Sequence, residues 1–320
     1  MLNPRKCAVI GSGNVGATTA FSLLQGGLFS EILLIDINRS RAAGEAADLG
    51  HAVPFLSPAE IYDGDYSDLA DAALIIITAG AAQQGGENRL DLVRQNTEIF
   101  RTVLRDICKF NTEAILLVVS NPVDILTEVT RRLTDLPPAR VIGSGTVLDT
   151  ARLKFLLGRH IGVDPRHVHA FIIGEHGDTE FPVYSSANIS GIDLDHFCNN
   201  DCPLCNERDL TRLFEATRDA AYHIIAAKGS TYYAIAEAVR RIATAILRDE
   251  AAILPISVAT NGVYGLPKDL SLSLPAVLGQ NGVQRVLEIP LSSTEQAQLL
   301  RSAERMRAVL SDVHLSPLPV

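Results

Sequence analysis

Short, continuously apolar runs alternate with segments of helical periodicity through the first half of the chain. Most of these runs lack a polar face, as expected of strands that are buried on both sides of a sheet. Predicted strands cover KCAVIG, EILLID, AEIYDG, ALIIITAG, AILLVVS and RVIGSG. Predicted helices cover NVGATTAFSLLQGG, SRAAGEAADLGH, LDLVRQNTEIFRTVLRDICKF and PVDILTEVTRRL. This alternation predicts an α/β fold with a doubly wound parallel sheet and helices on both faces.

The second half of the chain has a different pattern. A helix is predicted over TVLDTARLKFLLGRH and a strand over VHAFIIG, followed by helical patterns at about 207–228 and 230–249. Hairpin-like strands over AAILPISVATNGVYG and VQRVLEIP precede a final helix through TEQAQLLRSAERMRAVL. We therefore predict two domains, 1–145 and 146–320, of which the second is a mixed α+β unit.

Composition narrows the class of protein without identifying it. The 320 residues are 47% apolar and 20% charged, with a net charge of −9, which is ordinary globular composition. No block of Lys or Arg is long enough to suggest a nucleic-acid or anionic-membrane surface, and no apolar run approaches the roughly 18 residues of a membrane span. The first apolar residues run straight into a Gly-rich turn without a separate signal-peptide core, so we expect a cytoplasmic protein.

The segment CAVIGSGNVGATTA follows a predicted strand, opens a predicted helix and contains the spacing G-x-G-x-x-G. Gly11 would permit the tight turn, Gly13 the approach of a phosphate to the backbone, and Gly16 close packing of helix on sheet. The helix N-terminus adds free N–H groups and a positive dipole end. Asp36 ends the next strand, where an acid either simply caps the strand end or accepts hydrogen bonds from an adenosine ribose and repels a 2′-phosphate. The combination predicts a Rossmann-type domain that binds NAD in preference to NADP.

A nicotinamide cofactor implies hydride transfer to or from a carbonyl or alcohol, and a proton must be transferred as well. Near neutral pH, histidine is the side chain best suited to that proton transfer. In FIIGEHGDTEF, His176 stands where an apolar strand leaves the core. Asp149, at the start of a predicted helix, is a candidate carboxylate that would fix the tautomer of His176 and raise its pKa. Asp149 could equally be a helix cap or first-turn acid. Glu175 and Asp178 are interpreted as structural or polar neighbours.

Two further features suit an anionic substrate. Arg152 lies three residues after Asp149 on the same helix face, and its guanidinium could hold a carboxylate through two parallel hydrogen bonds, although most arginines lie on the surface. The Gly-rich segment TAGAAQQGGENRLDL follows a buried strand and predicts either a mobile lid or an ordinary βα loop. As a lid it would swing Gln83 and Arg89 over a bound substrate.

With these residues in hand, the chain resembles the L-lactate dehydrogenases of the lactate/malate dehydrogenase family. The resemblance covers nearly the whole chain and rests on GSGNVG, RAAGEAADLGH, TAGAAQQGGENRLDLVRQN, SNPVDI, VIGSGTVLDTARLKF, GEHGDTE and KGSTYYAIA. It implies pyruvate and L-lactate as substrates and NAD as the cofactor.

The resemblance also implies a role for each matching position. His176 would be the acid/base, oriented by Asp149, while Arg152 would bind the substrate carboxylate. Arg89 would polarise the substrate carbonyl in the transition state. The other implied contacts are Asn121 near the nicotinamide and the carbonyl, Thr231 at the substrate, and Gly11, Gly13, Val15, Gly16, Asp36 and Ile235 at the cofactor.

Gln83 holds the position that, by the resemblance, separates lactate from malate enzymes. Malate enzymes carry an arginine there, which pairs with the second carboxylate of oxaloacetate. Neutral Gln83 would leave that carboxylate unpaired in a closed site, at a cost of several kcal/mol. A small monocarboxylate is therefore expected. Gly85 and Gly86 stand where the family more often has Lys-Pro, which predicts a more flexible lid with an entropic cost on closing.

The family also implies homotetramers and, in many bacterial members, activation by fructose 1,6-bisphosphate at a subunit interface. The positions of the usual ligands hold Lys154 and His169, and lysine keeps the charge of the usual arginine without its planar fork. Activation is therefore left open. His167 and His169 could instead be ordinary interface residues or a metal pair, for which further ligands are lacking.

Three of the five cysteines lie close together in HFCNNDCPLC, where Cys198, Cys202 and Cys205 follow His196. These four residues could form a zinc site, but the irregular spacing favours free thiols in a surface loop, and no metal is expected. Two alternatives stay open, a related malate or other L-2-hydroxyacid dehydrogenase and a catalytically idle NAD-binding protein. A short-chain dehydrogenase is excluded because the spacing from Tyr222 to Lys228 is too long for Y-x-x-x-K.

Overall fold

The computed structural model describes residues 1–81, 89–200 and 207–313, apart from the side chains of residues 89, 198–200 and 207. The strands are β1 (Asn3–Ile10), β2 (Glu31–Ile35), β3 (Glu60–Asp63), β4 (Ala72–Ile77), β5 (Ile115–Val118), β6 (Val141–Gly143), β7 (Val168–His169), β8 (Ile172–Ile173), β9 (Phe181–Pro182), β10 (Asn188–Ile189), β11 (Ile192–Asp193), β12 (Ala252–Ala259), β13 (Ser271–Gly279) and β14 (Gly282–Val286). The helices are α1 (Asn14–Gln25), α2 (Arg39–Ala52), α3 (Arg89–Cys108), α4 (Val123–Leu133), α5 (Val147–Ile161), α6 (Leu194–Asn200), α7 (Glu207–Lys228), α8 (Tyr233–Leu247) and α9 (Ser293–Ser311). Among these helices, none is both long and apolar enough to span a lipid bilayer.

The first six strands form a parallel sheet in the order β3-β2-β1-β4-β5-β6. This is the strand order of a Rossmann fold, and the predicted α/β class is confirmed. Ile10 at the end of β1 pairs with Ile35 on one side and Ile77 on the other. The loops that follow β1, β2 and β4 therefore leave the sheet at one edge. A dinucleotide binds at this edge in such folds, where the strand order reverses.

The second half of the chain extends this sheet. β12 pairs antiparallel with β6, through Ser257 and Gly143, and with β13, which in turn pairs with β14, giving a nine-stranded sheet. The sequence analysis missed β13, whose serines mimic a polar face. Ser271 and Ser273 are buried and donate hydrogen bonds to Glu128 and Asp124 of α4. The domain boundary at 145 stays a prediction, because the sheet continues across it.

The predicted strand VHAFIIG is divided between two small sheets. β7 pairs with β10, whereas β8 pairs with β9, so the chain from 174 to 180 is the turn of a hairpin. Gly174, with φ of +100°, exchanges backbone hydrogen bonds with Ser273 of β13 at 3.0 and 3.1 Å. The hairpin that carries His176 is thereby fixed to the large sheet.

Candidate active site

The glycines of the first βα loop have separate steric requirements. Gly11 adopts φ of +102°, and a Cβ there would lie 2.6 Å from the backbone nitrogen of Ala79. A Cβ on Gly16 would lie 1.7 Å from the carbonyl oxygen of Gly11, so helix α1 can approach the strand end only with glycine at this position. A Cβ on Gly13 would meet nothing within 4 Å. Gly13 therefore borders open space, as an approaching phosphate requires.

The start of α1 and the end of β2 complete this loop. Gly13 caps α1 without a side-chain hydrogen bond, which leaves the first-turn N–H groups to a ligand or to water, and Val15 in that turn is partly exposed. The Asp36 carboxylate accepts hydrogen bonds from the backbone N–H groups of Ser12, at 2.5 Å, and Asn38, at 2.8 Å. Asp36 thus holds the Gly-rich loop while part of its surface is exposed at the sheet edge. These residues fit a dinucleotide.

The structure brings His176 and Asp149 together across 27 positions of sequence. The His176 Nδ1 lies 2.7 Å from Asp149 Oδ2, and Asp149 is 1% exposed in the first turn of α5. A buried carboxylate without that partner would be costly, so the Nδ1 proton is held between the two groups. The second ring nitrogen, Nε2, is then the one that can exchange a proton with a substrate. A quarter of the His176 side chain is exposed.

The protonation of this pair follows from competing effects. Burial by itself lowers the pKa of His176, but the charge and hydrogen bond of Asp149, joined by Glu180, raise it well above the ordinary value. Burial raises the pKa of Asp149, but the charge and hydrogen bond of His176, together with Arg152, bring it below the ordinary value. Both shifts favour an imidazolium beside a carboxylate.

Arg152 lies on the same face of α5, as its spacing from Asp149 predicts. Its Nη1 is 2.8 Å from Asp149 Oδ1, and its side chain is 13% exposed. A guanidinium carries several N–H donors in a fixed plane, so one ion pair does not exhaust its capacity to bind a carboxylate. Asp149 is therefore flanked by two cationic side chains, His176 and Arg152.

Sequence reasoning missed two acids that touch His176. Asp124 of α4 is 2% exposed, and its Oδ2 accepts the backbone N–H of His176 at 2.7 Å while its Oδ1 accepts the Ser273 hydroxyl at 2.9 Å. Burial raises the pKa of Asp124 to about 6. Glu180 approaches the imidazole itself, with Oε2 3.4 Å from Nδ1. Asp124 lies within SNPVDI and Glu180 within GEHGDTE, but nothing in the local sequence marks either as a partner of His176.

Asn121 lies between β5 and α4, three residues before Asp124, which puts it near the His176 turn. Its carbonyl oxygen accepts a hydrogen bond from Asn96 Nδ2 at 2.8 Å. Asn96 is fully buried on α3, and its Oδ1 also accepts the backbone N–H of Ala81 at 2.7 Å. Asn96, which the sequence analysis also missed, thus ties Ala81, just after β4, to the segment that carries Asn121.

Thr231 and Ile235 lie beside the nucleotide loop because α8 packs against α1. The Asn14 side-chain amide, at the start of α1, donates to the Ser230 hydroxyl at 3.0 Å, immediately before Thr231. Ile235, in the first turn of α8, is partly exposed and packs against the main core. The predicted cofactor and substrate contacts of the two halves are therefore neighbours.

The two positions suggested for an effector lie on α5 and β7, which pack against each other. Lys154 of α5 is partly buried, which lowers its pKa, and His169 of β7 is exposed. Leu153 and Val168, next to them in sequence, share a buried cluster in which α5 packs on β7.

Several predicted residues lie outside the described part of the chain. Gln83, Gly85 and Gly86 of the suggested lid are among them, as are Cys202 and Cys205. Arg89 begins α3 as expected, but its side chain and that of Cys198 are not described. Cys7 and Cys108, which are described, are free thiols.

Comparison with known families supplies the decisive observation. Residues 5–143 match the NAD binding domain of lactate/malate dehydrogenases, and residues 146–315 match their alpha/beta C-terminal domain. The chain belongs to the lactate/malate dehydrogenase family. Among relatives, it is 50% identical to the L-lactate dehydrogenase of Acetivibrio thermocellus, over 97% of this chain and 98% of that protein. It is 51% identical to that of Priestia megaterium, over 95% of each.

Solved structures agree with this membership. A lactate dehydrogenase from a deep-sea metagenome library superposes with a TM-score of 0.94 at 42% identity, covering 98% of this chain and 99% of that one. The minor L-lactate dehydrogenase of Enterococcus mundtii gives a TM-score of 0.94 at 38% identity, with the same coverage. Similarity at this level extends over both halves of the fold, including the hairpin that carries His176.

Proposed function

We propose that this chain is an NAD-dependent L-lactate dehydrogenase in which His176 is the acid/base. The observation that carries the proposal is the contact between His176 Nδ1 and the buried carboxylate of Asp149, at 2.7 Å. The chain that makes this contact is 50% identical in sequence to an L-lactate dehydrogenase. An imidazolium fixed in this way keeps Nε2 as a proton donor near neutral pH. It can therefore protonate a keto oxygen as the carbonyl is reduced.

The other site residues would bind and orient the substrate. Arg152 would hold the pyruvate carboxylate in bidentate fashion, while Asp149 keeps the His176 ring in place and stabilises its charge. Arg89 would polarise the carbonyl, Asn121 would lie near the nicotinamide and the carbonyl, and Thr231 would contact the substrate. In the reverse direction, neutral His176 would accept the proton of the L-lactate hydroxyl.

The cofactor would lie along the edge where β1, β2 and β4 end. NADH supplies the hydride when it is bound. Gly11, Gly13 and Gly16 would admit its pyrophosphate to the N-terminus of α1, beside Val15. Asp36 would accept hydrogen bonds from the adenosine ribose, and its charge would repel the extra phosphate of NADP. Ile235 would pack on one face of the nicotinamide.

The substrate would be a small monocarboxylate. A second carboxylate, as in oxaloacetate, would meet the neutral side chain of Gln83 and be buried without a counter-charge. The test is NADH oxidation by the purified chain with pyruvate, longer 2-oxo acids and oxaloacetate in parallel. We expect pyruvate to give a kcat/KM at least about 100-fold above that of oxaloacetate, which corresponds to roughly 3 kcal/mol. A preference for oxaloacetate, or NADH binding without oxidation, would refute the proposal.

Assembly and regulation are further parts of the proposal. We infer a homotetramer, as the family suggests, and the exposed apolar side chains of Tyr222, Ile224 and Ile225 on α7 are suited to subunit contacts. Fructose 1,6-bisphosphate would bind near Lys154 and His169 if this chain is activated. The same kinetic assay with and without the bisphosphate, combined with light scattering, tests both points. If the KM for pyruvate stays unchanged at a high concentration of the bisphosphate, activation by this effector is refuted.

A further inference from the structure

Glu180 is a second buried carboxylate at the acid/base histidine. It is the last residue of the turn that begins after β8, it is 5% exposed, and its Oε2 lies 3.4 Å from His176 Nδ1. The same oxygen accepts the backbone N–H of Gly177 at 3.2 Å, which helps to hold the carboxylate near Nδ1. The turn between β8 and β9 therefore carries both the imidazole of His176 and the carboxylate of Glu180, which lie side by side.

The acids of this turn have different surroundings. The Glu175 Oε2 accepts the Thr179 hydroxyl at 2.5 Å, and the Glu175 backbone N–H donates to Ser302 of α9. Asp178 is exposed. By contrast, a carboxylate oxygen of Glu180 lies within 4.8 Å of both a carboxylate oxygen of Asp149 and a ring nitrogen of His176. The contact is thus a specific feature of Glu180, not a consequence of a generally acidic loop.

When Asp149 and Glu180 are both ionised, the charges of these two acids, Arg152 and the ring itself sum to zero only if the ring is protonated. From α5, Asp149 and Arg152 contribute one negative and one positive charge, and Glu180 adds a second negative charge. Two carboxylates so close together in a buried place repel each other, and an imidazolium between them cancels the excess. Burial and the charge of Asp149 raise the pKa of Glu180, whereas His176 opposes that shift. From α4, Asp124 faces the backbone N–H of His176.

We propose that Glu180 is a positioning residue that shares the Nδ1 proton of His176 with Asp149 and keeps the ring protonated to a higher pH than Asp149 alone would. This inference rests on the proposed function, because it assigns Glu180 to the same proton transfer. When Nε2 gives its proton to the keto oxygen, Nδ1 keeps its own, and the ring becomes neutral between two carboxylates. Glu180 thus favours the return of a solvent proton to the ring before the next reduction.

The test is the variant Glu180→Gln, which keeps the shape of the side chain and removes its charge. Reduction needs protonated His176, so kcat/KM for pyruvate falls as pH rises through the pKa of the ring. An opposite charge within about 4–6 Å shifts a pKa by roughly one to three units, and with Asp149 still present we expect the lower end. The alkaline midpoint should therefore move down by about one pH unit, with kcat below the midpoint changed only a few-fold.

Binding gives a readout that does not depend on turnover. Oxamate, a pyruvate isostere that accepts no hydride, should need the same protonated ring, and its affinity for the enzyme–NADH complex can be followed by NADH fluorescence. The chain contains no Trp, so this signal has no tryptophan background. The pH dependence of oxamate affinity should shift by the same amount as that of kcat/KM.

Two control variants distinguish the effect of the Glu180 charge on the ring from the general effect of removing an acid from this turn. Glu175→Gln removes a buried carboxylate that accepts the Thr179 hydroxyl, and Asp178→Asn removes an exposed one. Both should leave the midpoint within about 0.3 pH units, because water screens the exposed charge and the Glu175 carboxylate is held by the Thr179 hydroxyl. Glu180→Asp should restore part of the shift. An unchanged midpoint in Glu180→Gln, or an equal shift in Glu175→Gln, would overturn the proposal.

A titration without substrate distinguishes failure of this inference from failure of the proposed function. The imidazole ¹⁵N signals of the ligand-free protein report the pKa of His176 directly, and the signal missing from His176→Asn assigns them. A lower His176 pKa in Glu180→Gln would uphold the contact even if pyruvate were not reduced. An unchanged pKa would overturn it even if pyruvate reduction were established.

Discussion

Asp149→Asn is the substitution that isolates the electrostatic part of the proposed mechanism. Asparagine has nearly the shape of aspartate, and its side-chain oxygen can still accept the His176 Nδ1–H at the observed 2.7 Å. It has no charge, however, to stabilise the imidazolium. Burial then acts on the ring with less opposition and lowers its pKa, while Glu180 supplies the remaining negative charge.

The magnitude follows from the geometry. Opposite charges about 3.5 Å apart interact by roughly 5 kcal/mol at an effective dielectric constant of about 20. The ring is partly exposed, and the asparagine dipole replaces some of this energy, so we take about 3 kcal/mol as the net loss. That corresponds to roughly two pKa units, or about 100-fold in kcat/KM at a pH above both midpoints.

The direction of the pH effect is specific. The raised pKa of His176 means that the proton needed for reduction is present below that pKa and is lost as pH rises through it. In Asp149→Asn the loss should begin about two pH units lower, so the deficit in pyruvate reduction should be largest above both midpoints and should vanish below both. Lactate oxidation needs the neutral ring, and its acid limb should move down by the same amount.

The assay is kcat/KM in both directions across this pH range, with Asp164→Asn, which changes an exposed acid beyond α5, as the control. NADH affinity should be unchanged in both variants, since the Gly-rich loop is not involved. If kcat/KM falls equally at every pH and in both directions, the substitution has moved the ring and has not changed its pKa. That result would refute the electrostatic account.

Three other substitutions test the surroundings of the site. Gly13→Ala should leave Tm unchanged, because the new Cβ meets only open space, but it should raise the Kd for NADH by at least about 10-fold, because that space is where the pyrophosphate would lie. Gly16→Ala should lower Tm by several degrees, because its Cβ collides with the Gly11 carbonyl. Asp124→Asn should lower the free energy of unfolding in urea by about 2–3 kcal/mol, since an amide cannot accept every bond that the carboxylate accepts. The same variant should lose the fall in stability that the parent shows as pH rises from about 4 towards 6, the pKa of Asp124, because the folded parent holds that proton more tightly than the unfolded chain. Asn96→Ala should cost about 2 kcal/mol and raise the KM for pyruvate, and parent values in either assay would count against its bridging role.

Much of the fold could be predicted because its signals are local. Continuous apolar runs mark most of the six parallel strands, and the spacing of Gly11, Gly13 and Gly16 marks the first βα loop. The i, i+3 spacing likewise puts Asp149 and Arg152 on one face of α5. Each of these features needs only a short window of sequence.

The features that were missed depend on distant partners. The serines of β13 look like a solvent face, but Ser273 is buried against Asp124, which is 149 positions away. Asp124 in turn fixes the backbone of His176, and Glu180 reaches the ring only because β8 and β9 close a hairpin. No periodicity encodes such contacts, so their residues appear as ordinary helix or turn positions until the chain is folded.

The central claim is that the imidazolium of His176 gives its proton to the substrate. Its most direct test is kcat/KM for pyruvate in His176→Asn, measured beside the Kd for NADH. General acid catalysis of this kind contributes about 10²–10⁴-fold, so we predict a fall of about 1000-fold or more with an unchanged Kd. A variant that reduces pyruvate as fast as the parent would contradict the account.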